Sequence, residues 1–176
     1  MKTLYSLGLA LSLASQSVLA QTPTPALPPK DVFVADLLKQ MTVEEKIGQL
    51  RLISIGPEMP REMIRKEIAA GRIGGTFNSI TRDENRPMQD AAQRSRLKIP
   101  MFFAYDVIHG HRTIFPISLG LASSWDMDAI ALSGRVAAKE ASADSIDLTF
   151  APMVDIARDP RWGSTSEGLG EDTYLV

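Results

Sequence analysis

The chain has 176 residues, 44% of them apolar and 23% charged, with a net charge of −2 and no cysteine. That charge balance disfavours nucleic acid as a partner, because phosphate binding needs a basic face. The missing cysteine excludes thiolate chemistry and cysteine-ligated metal.

The first elements are addresses rather than fold. Lys2 is the only charge in the first 29 residues. An apolar run from Leu4 to Leu13 follows it, and then small residues lead to Val18-Leu19-Ala20. This is the layout of a secretory signal peptide over residues 1–20, with cleavage expected after Ala20. The run is too short to cross a bilayer core of about 30 Å, and no later stretch is longer, so no membrane anchor is expected after cleavage. Removing Lys2 leaves 18 basic against 21 acidic residues, a net charge of −3. Residues 21–30 hold four prolines and read as an extended linker. About 156 residues then remain, and their stability must come from an ordinary core rather than disulfides.

Thr42 and Glu45 form a capping-box pattern that predicts a helix with Ile47 and Leu50 facing inward. Arg51–Ile55 predicts a short strand ended by Gly56-Pro57. Pro60 suits the first position of a helix whose Ile64 and Ile68 share one face, and Gly71 suits its left-handed end. Ile73–Phe77 predicts a second strand, and a polar helix is expected from Pro87 to Leu97. Met101–Asp106 is the clearest strand. Ser124 is placed to cap the next helix, with Met127, Ile130, Ala131, Gly134, Ala137 and Ala141 at inward spacing. Asp147–Ala151 predicts a fourth strand, and Glu171–Val176 the start of a further helix. Strands alternating with helices, and apolar enough to be buried on both faces, predict an α/β fold with a parallel sheet. The pattern alone leaves a doubly wound sheet and a (β/α)8 barrel both open. No Gly-x-Gly-x-x-Gly follows a strand, which argues against a dinucleotide site.

Functional groups in parallel α/β folds gather at the C-terminal ends of strands. Two such ends are rich in polar residues. The first runs from Tyr105 to Arg112. There Asp106 can accept from two sugar hydroxyls or pair with a neighbouring cation, and residue type alone does not separate these roles. His109 and His111 lack a third ligand at metal spacing, so no metal is expected and loop packing or solvent exposure is. The second runs from Ala151 to Ser164. Arg158 and Asp159 there are expected to tie the loop down by ion pairing, and Trp162 to plug it.

Five blocks stand in an order that resembles glycoside hydrolase family 3, in its periplasmic β-glucosidase branch. They are MTVEEKIGQL (41–50), FAYDVIHG (103–110), FPISLGLASSW (115–125), APMVD (151–155) and RDPRWG (158–163). The likeness spans residues 31–176. It implies a fold class of the N-terminal part of a (β/α)8 (TIM-type) barrel, incomplete here, within a longer enzyme. It implies a retaining β-glucosidase that uses no metal or cofactor. A carboxylate attacks the anomeric carbon, and a second carboxyl serves first as acid, then as base. Asp106 matches the aspartate that grips hydroxyls of the terminal glucose, and Arg161 the arginine with a supporting part. The substrates implied are oligosaccharides or aryl β-glucosides, and the periplasm is the implied compartment.

The chain also departs from that pattern. The family motif continues with an arginine that contacts the terminal sugar, where this chain has Ser164. The family's Lys-His pair is absent, and its nucleophile and acid/base match no residue here. Asp155, Asp159 and Glu167 are carboxylates in the neighbourhood, but the family does not use them in these roles. The expectation is therefore a fragment inactive alone. A non-catalytic sugar-binding remnant, favoured by Ser164, and another family 3 glycosidase such as a β-xylosidase are the alternatives. Nothing in the sequence specifies the oligomeric state.

Overall fold

The computed structural model describes residues 28–57 and 59–176. The expected signal peptide, and all of the expected linker except its last three residues, lie outside them. Four parallel strands form one sheet: β1 (Leu52–Ser54), β2 (Gly75–Phe77), β3 (Phe102–Tyr105) and β4 (Leu148–Thr149). Their spatial order is β1-β2-β3-β4, the same as their order in the chain. A doubly wound sheet reverses its order at a switch point, and a barrel does not. The observed order is that of the first half of a (β/α)8 barrel.

Among the described residues six helices accompany the strands. Helix α1 (Lys30–Gln40) begins inside the expected linker and was not anticipated. Its Val32, Phe33, Val34 and Leu38 stay exposed, so it adds nothing to the core. Helix α2 (Val43–Gln49) carries the capping box as expected: Thr42 accepts from the Glu45 amide, and the Glu45 carboxylate accepts from the Thr42 amide. The inward placement of Ile47 and Leu50 is corrected, since they are 55% and 86% exposed. The cause is Gly48. A Cβ there would stand 2.3 Å from the Gly71 carbonyl oxygen and 2.7 Å from the Arg72 Cα. The helix therefore docks backbone to backbone through its glycine, and the bulky residues turn away.

Helix α3 (Arg61–Ala69) starts one residue after Pro60 and buries Ile64 and Ile68 completely. Gly71 closes it at φ +75. The Arg72 amide bonds the Glu67 carbonyl and the Gly71 amide the Ile68 carbonyl, the paired bonds of a Schellman end. Helix α4 (Arg82–Ala92) corrects the expected Pro87 start. Thr81 caps it by accepting from the Glu84 amide at 3.3 Å, and Pro87 sits in its interior. An interior proline commonly costs about 3 kcal/mol. Burial of Met88, Ala91 and Ala92 on the same helix works against that cost.

A short helix α5 (Ser118–Ala122), not foreseen, precedes α6 (Met127–Ala143). Asp126 rather than Ser124 caps α6, accepting from the Ala129 amide, while Ser124 accepts from the Asp126 amide. The expected inward row of α6 holds only in part: Ala137 and Ala141 are buried, Ile130 is half-buried, and Met127, Ala131 and Gly134 are exposed. Residues 171–176 form no helix. Asp172 instead accepts from the amides of Tyr174 and Leu175, which curls the segment into a turn. Among the described residues no helix is long and apolar enough to cross a membrane.

The sheet has two unlike faces, because side chains alternate along each strand. Ile53, Ile55 and Phe103 point outward and meet Ile64, Ile68, Ile73, Met88, Ala91 and Ala92 beneath α3 and α4. Tyr105 packs outward on Val107, Ala137, Ala141 and Ile146. Leu52, Ser54, Gly75, Phe77, Phe102, Ala104 and Leu148 form the other face by register. The main core therefore lies on the helix side. Truncating Ile68 to Ala should cost about 2–5 kcal/mol of unfolding free energy, whereas Leu50→Ala should stay within about 0.5 kcal/mol. Urea denaturation of the two variants distinguishes a core built on α3 from one built on α2.

Candidate functional site at the strand ends

The C-terminal ends of the four strands bring the polar residues together. Asn78 follows β2 in a left-handed conformation (φ 66), and its amide nitrogen donates to the Ser54 hydroxyl of β1 at 3.0 Å. Asp106 follows β3. It comes two residues after Ala104, so alternation carries it to the face opposite the helices. Thr149, at the end of β4, accepts from the amides of Val107 (3.4 Å) and Ala151 (3.1 Å). Phe77 and Phe150 meet edge to face, with centroids 6.0 Å apart.

Asp106 is exposed, and among the described residues its carboxylate has no hydrogen bond and no ion pair. The cation that might have occupied it, Arg112, is committed elsewhere. Both oxygens of Asp106 are thus free to accept, with about four lone-pair directions between them.

The loop after β3 is a tight hairpin. His109 and Phe115 bond each other twice: the Phe115 amide donates to the His109 carbonyl (2.8 Å), and His109 Nδ1 lies 3.2 Å from the Phe115 carbonyl. Gly110 pairs with Ile114 across the turn. The tip is fastened to the end of α6. Arg112 forks onto Asp144, with Nε to Oδ2 at 2.8 Å and Nη2 to Oδ1 at 2.6 Å. His111 Nε2 meets the same Oδ2 at 2.9 Å. An ionised carboxylate only accepts, so Nε2 carries the proton in this contact. Glu140 accepts from the amides of Arg112 (2.8 Å) and Thr113 (2.7 Å) and from the Thr113 hydroxyl (2.6 Å). The side chains of His111 and Asp144 are almost fully buried. The two histidines thus have separate partners, and both serve loop packing.

Sequence reasoning missed Glu140 and Asp144. A signal was nevertheless present. Both acids stand at the C-terminal end of α6, where the helix carries partial negative charge, and its last turn holds no basic residue. Acids in that position need donors from elsewhere.

The second polar loop differs from expectation. Asp159 pairs with Arg161, not Arg158: Arg161 Nε lies 3.0 Å from Oδ1 and Nη2 2.6 Å from Oδ2. Arg158 is exposed and has no polar partner among the described residues. Arg161 is largely exposed and makes no bond to Asp106. Trp162 does not plug the loop, being 38% exposed. Its carbonyl accepts from the Thr165 hydroxyl at 2.7 Å, so backbone and hydroxyl bonds hold the turn in place of the ring. A cavity of about 450 Å³ opens between α6 and the two loops. It is lined by Val107, Ile130, Ala137, Ala141, Met153 and Leu169 among others, and Asp106 is not part of it. Its apolar walls do not suit a polyhydroxylated ligand.

Sequential parallel strands, helices on one face and a free carboxylate on the rim of the strand ends define a protein of the (β/α)8-barrel class. Residues 42–176 match the glycosyl hydrolase family 3 N terminal domain, and the chain belongs to that family. Over its whole length it is 59% identical to a periplasmic beta-glucosidase of Salmonella typhimurium, of which it covers 24%. Over 84% of its length it is 27% identical to a lysosomal beta glucosidase of Dictyostelium discoideum, covering 21% of that protein. A crystal structure of a beta-glucosidase from Listeria innocua, in complex with isofagomine, superposes with a TM-score of 0.71 at 35% identity. That match covers 84% of this chain and 21% of the other. The chain therefore spans about a quarter of the length of the relatives it matches.

Hydrogen bonds from Arg112, and then from His111, hold the Asp144 carboxyl down from its ordinary 3.8 to about 2. Between these values an unfolded chain binds a proton that the folded one refuses. The stabilisation is complete above about pH 4 and is lost as the pH falls through about 2. Acid titration of the unfolding free energy should show this slope, and Asp144→Asn should flatten it.

Proposed function

We propose that this chain is the N-terminal part of an exported retaining β-glucosidase, which removes terminal β-D-glucose from oligosaccharides or aryl glucosides. The observation that carries the reading is Asp106. A carboxylate with both oxygens free, at the end of a central parallel strand in a family 3 chain, is equipped to accept from adjacent sugar hydroxyls. The identity to a protein named as a periplasmic beta-glucosidase supports both the sugar and the compartment. In this reading residues 1–20 are a signal peptide cleaved after Ala20, residues 21–30 a tether, and residues 31–176 the first part of the barrel domain.

Arg161 supports the pocket at second hand, through its bidentate pair with Asp159. The nucleophile and the acid/base belong to the longer protein, so this chain supplies binding groups without supplying the chemistry. No metal or cofactor enters the reaction. Ser164 marks a weakened pocket. Its short hydroxyl stands where the family places an arginine that contacts the sugar, and losing a charged donor costs about 1.5–3 kcal/mol when nothing replaces it.

Two measurements test the reading. Residues 21–176, expressed alone and given a chromogenic aryl β-glucoside, should release no product above a blank. Turnover would place the nucleophile within this chain. In the longer protein, Ser164→Arg should tighten glucose binding roughly tenfold to a hundredfold by calorimetry. If binding tightens but no hydrolysis appears, the protein is a sugar-binding remnant rather than a weakened enzyme.

A further inference from the structure

We propose that Glu140 and Asp144 of α6 are positioning residues for Asp106, acting through the hairpin that follows it. The inference rests on the sugar-binding reading of Asp106 and extends it to residues outside the rim.

Asp106 has no side-chain bond of its own among the described residues, so its backbone sets where the side chain leaves the main chain. On one side the ladder with β4 holds Tyr105. On the other, Val107 is buried against Ala137 and Ala141 and donates its amide to Thr149. Beyond Val107 the chain enters a hairpin that would swing freely without an anchor, since Arg112, Thr113 and Ile114 at its tip are exposed. Two carboxylates one helical turn apart supply that anchor. Glu140 takes the two tip amides and the Thr113 hydroxyl, and Asp144 takes the Arg112 fork and His111.

The arrangement closes on itself. The His111 ring packs edge-on to Tyr105, with centroids 6.1 Å apart at an interplanar angle of 79°. Tyr105 is the residue immediately before Asp106. The clamp therefore reaches Asp106 from both directions along the chain: through Tyr105 by the imidazole, and through Val107 by the hairpin. The same helix supplies the carboxylates and the apolar floor, so one rigid element fixes both. Placement errors of about 1 Å at a site can cost on the order of a hundredfold in rate, which makes such a clamp functional and not merely stabilising.

The test uses the longer protein and an aryl β-glucoside. Glu140→Gln keeps shape and loses one strong acceptor, and Asp144→Asn loses the ion pair. Each should lower kcat/KM roughly tenfold in a folded protein, as judged by thermal unfolding. In an Asp106→Ala background the same changes should have almost no further effect, because their route to the sugar is gone. Additive losses in that background would overturn the proposal. So would free exchange of the Arg112 and Thr113 amides in the unmutated protein, where the clamp requires strong protection. An unmutated protein that neither binds nor cleaves β-glucosides would instead count against the sugar reading, and the exchange result would still decide whether the clamp exists.

Discussion

Helix α6 ends badly by the ordinary rules of helix electrostatics, and the strand-end site depends on how that is resolved. Its last turn and cap carry Glu140 and Asp144, with no lysine or arginine among them. The exposed carbonyls at a helix C-terminus repel both carboxylates. An external set of donors is needed, and the loop after β3 brings a guanidinium, an imidazole, a hydroxyl and two backbone amides. Each side satisfies a need of the other. The hairpin has amides that its own turn leaves unpaired, and the helix has charges that its own dipole opposes. The result is a charge-assisted junction, stronger than neutral bonds of the same length, built on the buried Asp144 carboxylate behind the residue on which the site reading turns.

The rest of the architecture explains why that junction matters. Among the described residues the apolar clusters of the sheet lie on one face. Its main core is a layer between the strands and α3 and α4, built on fully buried Ile64 and Ile68. β3 and β4 are held to α6 by a much smaller cluster, Val107, Ala137, Ala141 and Ile146. Three of those four residues are alanine or valine, whose burial contributes less than that of isoleucine or methionine. The half of the sheet that carries Asp106 is thus the half with the thinner apolar support, and the polar clamp takes up part of the work that side chains do under α3 and α4.

What the sequence made legible follows the range of each interaction. The capping box at Thr42, the Schellman glycine at Gly71 and the four strands were readable because each depends on residues within a few positions of one another. The position of Asp106 just past β3 was readable because the apolar run of that strand ends there. The inward placement of Ile47 and Leu50 failed because a contact 23 residues away, Gly48 against Gly71, decides which face of α2 docks. The Pro87 start failed because a threonine cap six residues earlier outweighs a general rule about proline. Trp162 and Arg158 failed because loop side chains choose partners in three dimensions. Arg161, not Arg158, was near enough in the folded turn to fork onto Asp159. Glu140 and Asp144 were hidden for the same reason: they bond 27 to 33 residues away, and only their awkward position on the helix hinted at it.

A free carboxylate is itself an argument. One cation of its own loop could in principle have paired with Asp106. Arg112 lies six residues on in the same loop, yet its guanidinium is turned toward α6 and forks onto Asp144. Stability alone would favour using that cation at both places, or replacing Asp106 by a residue without charge. Instead the fold engages Glu140 and Asp144 and leaves Asp106 open on the rim. That division separates carboxylates that hold the scaffold from one left open on the rim, as the proposed sugar site requires. Arg161 is tied to Asp159 and Arg112 to Asp144, so in the proposed reading neither is free for a sugar, and Ser164 offers only a short neutral hydroxyl. Sugar held at this rim would rest mainly on Asp106, whose aim is set by the clamp behind it.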